Sequence, residues 1–156
     1  MNSESVFKDS FEQNIKIHEQ CLMERIEVLK NIGEIISNSI LKGGKLFLCG
    51  NGGSAADAQH LAAELIVRLR SSHNRKAIPA ISLVMDTSTL TACGNDYGFD
   101  RIFSRPLEAL GTSNDCLLVL STSGNSKNVL EAIYKAKELE MKTFAFTGKN
   151  KSNLFS

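Results

Sequence analysis

The amino-acid sequence predicts an α/β protein: a doubly wound parallel sheet preceded by a long helical segment. Three observations predict it. Apolar residues recur at helical spacing from Val6 to Leu41. Beyond Gly43-Gly44 the pattern changes to short apolar runs bounded by glycines or polar residues. Those runs alternate with helical stretches, and strands alternating with helices imply parallel strands covered on both faces.

In the first segment Phe7, Phe11, Ile15, Leu22, Ile26, Leu29, Ile32, Ile36 and Ile40 follow the helical period. It reads as one helix or two in series, ended by Lys42-Gly43-Gly44. Lys45–Cys49 is a buried strand candidate, and Gly50–Ser54 is a tight loop. Ala55–Arg70 follows as a helix with Ser54 as its N-cap. Ser71–Lys76 is a polar loop and Ala77–Val84 a second strand, with Pro79 early in it. Asp86–Gly94 reads as a short helix, Asn95–Gly98 as a loop and Phe99–Leu110 as another helix. Asp115–Leu120 is a third strand, Ser121–Ser126 a loop, Lys127–Glu140 a helix and Lys142–Phe146 a fourth strand. Residues 1–156 read as one domain, with 1–42 helical and 43–156 forming the α/β core. A sheet of this kind ordinarily continues with a helix, so more is expected after Thr147-Gly148-Lys149.

Composition narrows the function classes. The chain has 156 residues, 42% of them apolar, and a formal net charge of +1. That length supports one real core, and mixed charge argues against nucleic acid or a membrane surface as the main partner. Cys21, Cys49, Cys93 and Cys116 are far apart with no C-x-x-C pair, which suits reduced core thiols. The opening residues carry Glu4, Lys8, Asp9 and Glu12 and do not resemble a signal peptide. With no apolar run near the roughly 20 residues a membrane span needs, a cytoplasmic location is expected.

The strongest chemical signal is Ser121-Thr122-Ser123-Gly124-Asn125-Ser126, between an apolar strand and a helix. Hydroxyls, a turning glycine and the N–H groups of a helix start make a phosphate cradle. No G-K-S/T follows, so a nucleoside triphosphate is disfavoured; the structural alternative is a serine-rich loop with an ordinary N-cap. Gly50-Asn51-Gly52-Gly53-Ser54 is the second signal. Its glycines suit close approach of a ligand to backbone, while its spacing is not the dinucleotide G-x-G-x-x-G. Third, Asp57, His60 and Glu64 share one helix face at i, i+3 and i+7. His60 and Glu64 suit a metal as imidazole and carboxylate, or Glu64 suits a general base. Taken blind, a solvated polar face with an i, i+4 pair is the favoured reading. Last, Gly94-Asn95-Asp96-Tyr97-Gly98 offers an amide and a carboxylate that suit sugar hydroxyls, though taken alone a simple turn is the favoured reading.

In this order and spacing, Cys49–Leu65, Gly94–Phe99, Phe103–Arg105 and Ser121–Ser126 resemble the sugar isomerase (SIS) family, and within it the bacterial phosphoheptose isomerases. The similarity covers nearly the whole chain. It implies a flavodoxin-like three-layer fold and a cytoplasmic homotetramer. It also implies conversion of sedoheptulose 7-phosphate to D-glycero-D-manno-heptose 7-phosphate through an enediol, the first step towards ADP-heptose and the lipopolysaccharide core. By matching position, Asn51, Gly52 and Gly53 line the sugar site, Asn95 and Asp96 bind sugar hydroxyls, and Ser121, Thr122, Ser123 and Ser126 hold the phosphate. His60 and Glu64 match zinc ligands, one ion per subunit, and Glu64 also matches the proton-shuttling base. Arg68 matches an arginine near the substrate, and Asp57 a supporting carboxylate. Family members continue for a helix–strand–helix unit whose Gln and His complete the metal site; no Gln or His follows Ser126 here. Two alternatives are an inactive truncated form and a non-catalytic sugar-phosphate-binding or regulatory relative of the replication-initiator-associating type. The second kind lacks the carboxylate that Glu64 retains. A third, another sugar-phosphate isomerase of the same fold, would act on hexose or pentose phosphates.

Overall fold

The computed structural model describes residues 2–148. Lys149 and the continuation expected after it lie outside the described residues. Helix α1 runs unbroken over Ser3–Leu41, and Gly43, at φ +88°, ends it in a turn that side-chain-bearing residues rarely adopt. The chain forms two compact units, one reaching to Ile35 and the other beginning at Ile36. In the first unit Phe7, Phe11, Ile15, Leu22, Ile26 and Leu29 are all exposed.

The second unit is built on strands β1 (Leu46–Gly50), β2 (Ala80–Ser82), β3 (Cys116–Ser121) and β4 (Lys142–Thr147). They form one sheet in the order β2-β1-β3-β4, with every pairing parallel. Alternation along the strands sorts the core into two layers. Leu46, Leu48, Cys116, Leu118 and Leu120 face Ala58 and Ala62 of helix α2 (Gly53–Ile66), with Ile36 against the same cluster. Phe47, Cys49, Leu117 and Val119 face the other way. There they meet Val129, Ala132, Ile133 and Ala136 of a helix that closes the far side, and Ile102, Phe103 and Leu107 from the chain before β3. Burying a side chain such as Phe47 or Leu117 is worth about 1.5–3 kcal/mol, so the two clusters hold the three layers together.

The order of the remaining elements is α3 (Thr87–Asp96), a 3₁₀ turn (Phe99–Arg101), α4 (Ser104–Leu110) and α5 (Lys127–Glu138), the far-side helix. Several sequence expectations are corrected. β2 is shorter than Ala77–Val84. Pro79 has no N–H to give, and Ile78 N donates to Leu65 O rather than to a strand. The expected helix over Phe99–Leu110 is split. Gly98, at φ +88°, turns the chain into the 3₁₀ piece, and α4 restarts at Ser104 with Pro106 in its first turn, where a missing N–H costs nothing. Among the described residues no helix is long and apolar enough to cross a membrane.

Candidate functional site

In an open parallel sheet, ligands bind beyond the carboxyl ends of the strands where the winding direction reverses. Here that point lies between β1 and β3. α2 follows β1 onto one face and α5 follows β3 onto the other. Gly50 pairs with Leu120 in register, so the loops after the two strands leave side by side.

The loop after β1 is shaped by close approach. A Cβ on Gly50 would lie 2.8 Å from Leu120 O and 2.8 Å from Ser54 Cβ. Only glycine lets the start of α2 sit this near the sheet. Gly52, at φ +56°, is the N-cap of α2 and accepts at its carbonyl from Ala55 and Ala56 N–H. This corrects the sequence expectation: Ser54 lies within the first turn, because a positive φ at Gly52 starts the helix earlier. Cys49, just before the loop, is fully buried, and burial pushes its thiol up to about 12. It remains a protonated core group.

The loop after β3 is built differently. Ser121 closes the strand and Gly124, at φ +64°, turns the chain. Gly124 N–H donates to the carbonyl and the hydroxyl of Ser121, at 3.1 and 3.2 Å. Asn125 N–H donates to Ser123 Oγ. Gly148 N–H holds Thr122 O from the neighbouring strand end. Ser126 is the N-cap of α5 through its backbone, but its side chain makes no cap hydrogen bond. The first N–H groups of a helix have no acceptor within it, and they carry the positive end of its dipole. With the hydroxyls of Thr122, Ser123 and Ser126, this is chemistry suited to an anion.

One side-chain pair joins the loops. Asn51 Nδ2 donates to Asn128 Oδ1 at 2.9 Å, and Asn128 Nδ2 donates back to Asn51 Oδ1 at 2.8 Å. Asn128, in the first turn of α5, is 2% exposed. Sequence reasoning missed it. The available signal was its place on the i, i+4, i+8 row with Ala132 and Ala136, a polar residue on an apolar face.

On α2, Asp57 and His60 are exposed while Glu64 is half-buried. His60 Nε2 lies 3.6 Å from Glu64 Oε1, and Glu64 Oε2 is buried with no hydrogen-bond partner. An imidazole beside an unsatisfied carboxylate fits half of a zinc donor set. Among the described residues no third His, Cys, Asp or Glu gathers with them. The helix ends at Ile66, short of the expected Arg70, because its last carbonyls are taken. Arg75 donates to Glu64 O at 2.6 Å and to Leu65 O at 2.8 Å. Arg68 therefore lies past the helix, exposed, with Nη1 3.4 Å from Ser71 O. Asn95 and Asp96 sit in the last turn of α3 rather than in a loop. Both are exposed, with Asn95 Nδ2 donating to Asp96 Oδ1, and among the described residues no hydrogen bond ties them to the two loops.

A parallel sheet with a glycine loop and a serine loop side by side at its switch point defines an open, doubly wound α/β domain. A model of the SIS domain matches residues 10–148, and the chain belongs to that family. Within it the chain belongs with the phosphoheptose isomerases. It is 52% identical over 134 residues to phosphoheptose isomerase 1 of Campylobacter jejuni, covering 83% of this chain and 71% of that one. It is 58% identical over 122 residues to the phosphoheptose isomerase of Chlorobaculum parvum, covering 78% of this chain and 58% of the relative. The solved structure of a phosphoheptose isomerase from Francisella tularensis superposes with a TM-score of 0.93 at 36% identity, covering 99% of this chain and 80% of that one.

Proposed function

We propose that this chain carries the sugar-phosphate site of a sedoheptulose 7-phosphate isomerase. The observation that carries the reading is the meeting of the serine loop, the glycine loop and the Glu64 helix around one switch point, in a chain of this family. Ser121, Thr122, Ser123, Ser126 and the start of α5 hold the phosphate. Anchoring that remote end orients the reacting carbons, which converts binding into rate. Asn51, Gly52 and Gly53 face the sugar, Asn95 and Asp96 bind its hydroxyls, and Arg68 and Asp57 support the site.

Aldose–ketose interconversion moves a proton between adjacent carbons through an enediol. It needs a base within reach of a carbon-bound proton. Glu64 is that base: its Oε2 is buried and has no partner to give up before it takes a proton. The carbonyl bond from Arg75 fixes the turn of α2 that carries it. His60 and Glu64 would also hold zinc, which when bound supplies stabilisation of the enediolate oxygen. Among the described residues no third His, Cys, Asp or Glu joins them. The exposed apolar residues of α1 suit burial against other copies of the chain; the number four, the cytoplasm and a place at the start of heptose synthesis for lipopolysaccharide are what the family resemblance implies.

Incubation with sedoheptulose 7-phosphate and zinc tests the reading. Appearance of the aldoheptose phosphate, abolished by Glu64→Gln, is the expected result. Sugar-phosphate binding without turnover would favour the non-catalytic alternative, and absence of binding would overturn both.

A further inference from the structure

Resting on the sugar-phosphate reading, we infer that Asn128 is a positioning residue that sets the spacing between the phosphate end and the reacting end of the substrate. Asn51 is tied in two directions. Its carbonyl accepts from Ser54 N–H in the first turn of α2, and its amide pairs reciprocally with Asn128 in the first turn of α5. α2 carries His60 and Glu64, while α5 opens at Ser126, the end of the serine loop. Both helix starts are thus fixed by one pair of amides across the switch point.

The pairing is strongly specified. An amide as buried as that of Asn128 needs partners for its donor and its acceptor, and Asn51 supplies both. Removing either member leaves the other unsatisfied. No other hydrogen bond among the described residues joins side chains of the two segments. A ligand that touches only the serine loop has no need of the clasp. One that spans from phosphate to the Glu64 helix depends on the distance it sets, and small misplacements there are costly.

The test is a double-mutant cycle on ligand affinity, using the whole chain, Asn51→Ala, Asn128→Ala and the double variant. Each is titrated with sedoheptulose 7-phosphate and, separately, with inorganic phosphate, after melting curves establish folding. Asn128→Ala is expected to weaken sugar-phosphate binding about tenfold, the scale of coupling within one hydrogen-bond network. In the Asn51→Ala background the same change has little further effect, and inorganic phosphate affinity is nearly unchanged throughout. Additive losses, or equal losses for both ligands, overturn the inference by making Asn128 a merely structural residue. A wild-type chain that binds neither ligand overturns the sugar-phosphate reading and this inference with it. Should Asn128→Ala lose its cooperative melting transition, Asn128→Ser is read in the same cycle.

Discussion

The loops after β1 and β3 leave adjacent strands side by side and solve different problems. After β1 the chain passes through residues 51–52 and is helical again at Gly53. After β3 it wanders through residues 122–126 before α5 begins. The first loop is defined by what it lacks: a Cβ on Gly50 has no room, and Gly52 occupies a backbone region closed to most side chains. The second is defined by what it carries, hydroxyls and N–H groups around a single turning glycine. The first loop thus brings backbone and the α2 side chains close, while the second gathers the hydroxyls and N–H groups on which the proposed phosphate site rests. Substitutions should therefore separate the two: steric changes in the first act on stability, polar deletions in the second act on ligand.

The largest effect is expected at Gly50. An added methyl collides with Leu120 O and Ser54, and overpacking of this kind costs about 3 kcal/mol. Urea denaturation of Gly50→Ala should show that loss, with the start of α2 displaced. An unchanged midpoint would mean the loop is loosely held.

Next comes Asp115, which supplies a control at the opposite end of the sheet. It is 1% exposed and accepts from Lys45 N and Nζ and from Thr112 N and Oγ1. Burial pushes its carboxyl up, but the bonds from Lys45 and Thr112 outweigh burial and hold it below the usual carboxylate range. A depressed folded-state value contributes stability above the unfolded value of about 3.9, lost as pH falls through the folded value. Asp115→Ala should cost about 2 kcal/mol near neutral pH and flatten the acid limb of the stability profile. Ligand affinity should not change, since neither loop is touched.

Gly148→Ala is expected to be milder in stability, about 1 kcal/mol, and more telling for ligand. Its Cβ would lie 2.6 Å from Thr122 O, so the serine loop has to shift. Inorganic phosphate binding, followed by calorimetry, should weaken several-fold.

The smallest stability effect belongs to Ser126→Ala. Replacing a serine that caps with its side chain usually costs about 0.5–2 kcal/mol. Ser126 makes no such bond, so the melting temperature should hardly move while phosphate affinity falls. A lowered melting temperature with intact affinity would turn the residue back into an ordinary cap.

The sequence made the layered sheet legible because Leu46–Cys49 and Cys116–Leu120 are continuous apolar runs, which only a strand buried on both faces needs. The serine loop was legible for the same reason: polar residues placed directly after such a run stand out. Helix limits were not. Where α2 starts depends on the backbone angle of Gly52, and where it ends depends on Arg75 reaching back to its carbonyls. Neither is a local propensity. Asn128 and Gly148 escaped notice because their roles exist only once distant segments meet. The placement of Asn95 and Asp96 in a helix turn was equally hidden, since Asp86 caps α3 through Ser88 N and the helix then runs past the glycine at 94.

In the proposed site both loops serve one sugar-phosphate ligand. Backbone amide shifts of the isotope-labelled chain, followed during titration with sedoheptulose 7-phosphate, test it most directly. Saturable shifts at both Gly50–Ser54 and Ser121–Ser126, with free sedoheptulose giving none, are the predicted result. Absence of binding, or shifts confined to another part of the molecule such as the cleft lined by Thr89, Arg105 and Glu108, would contradict it.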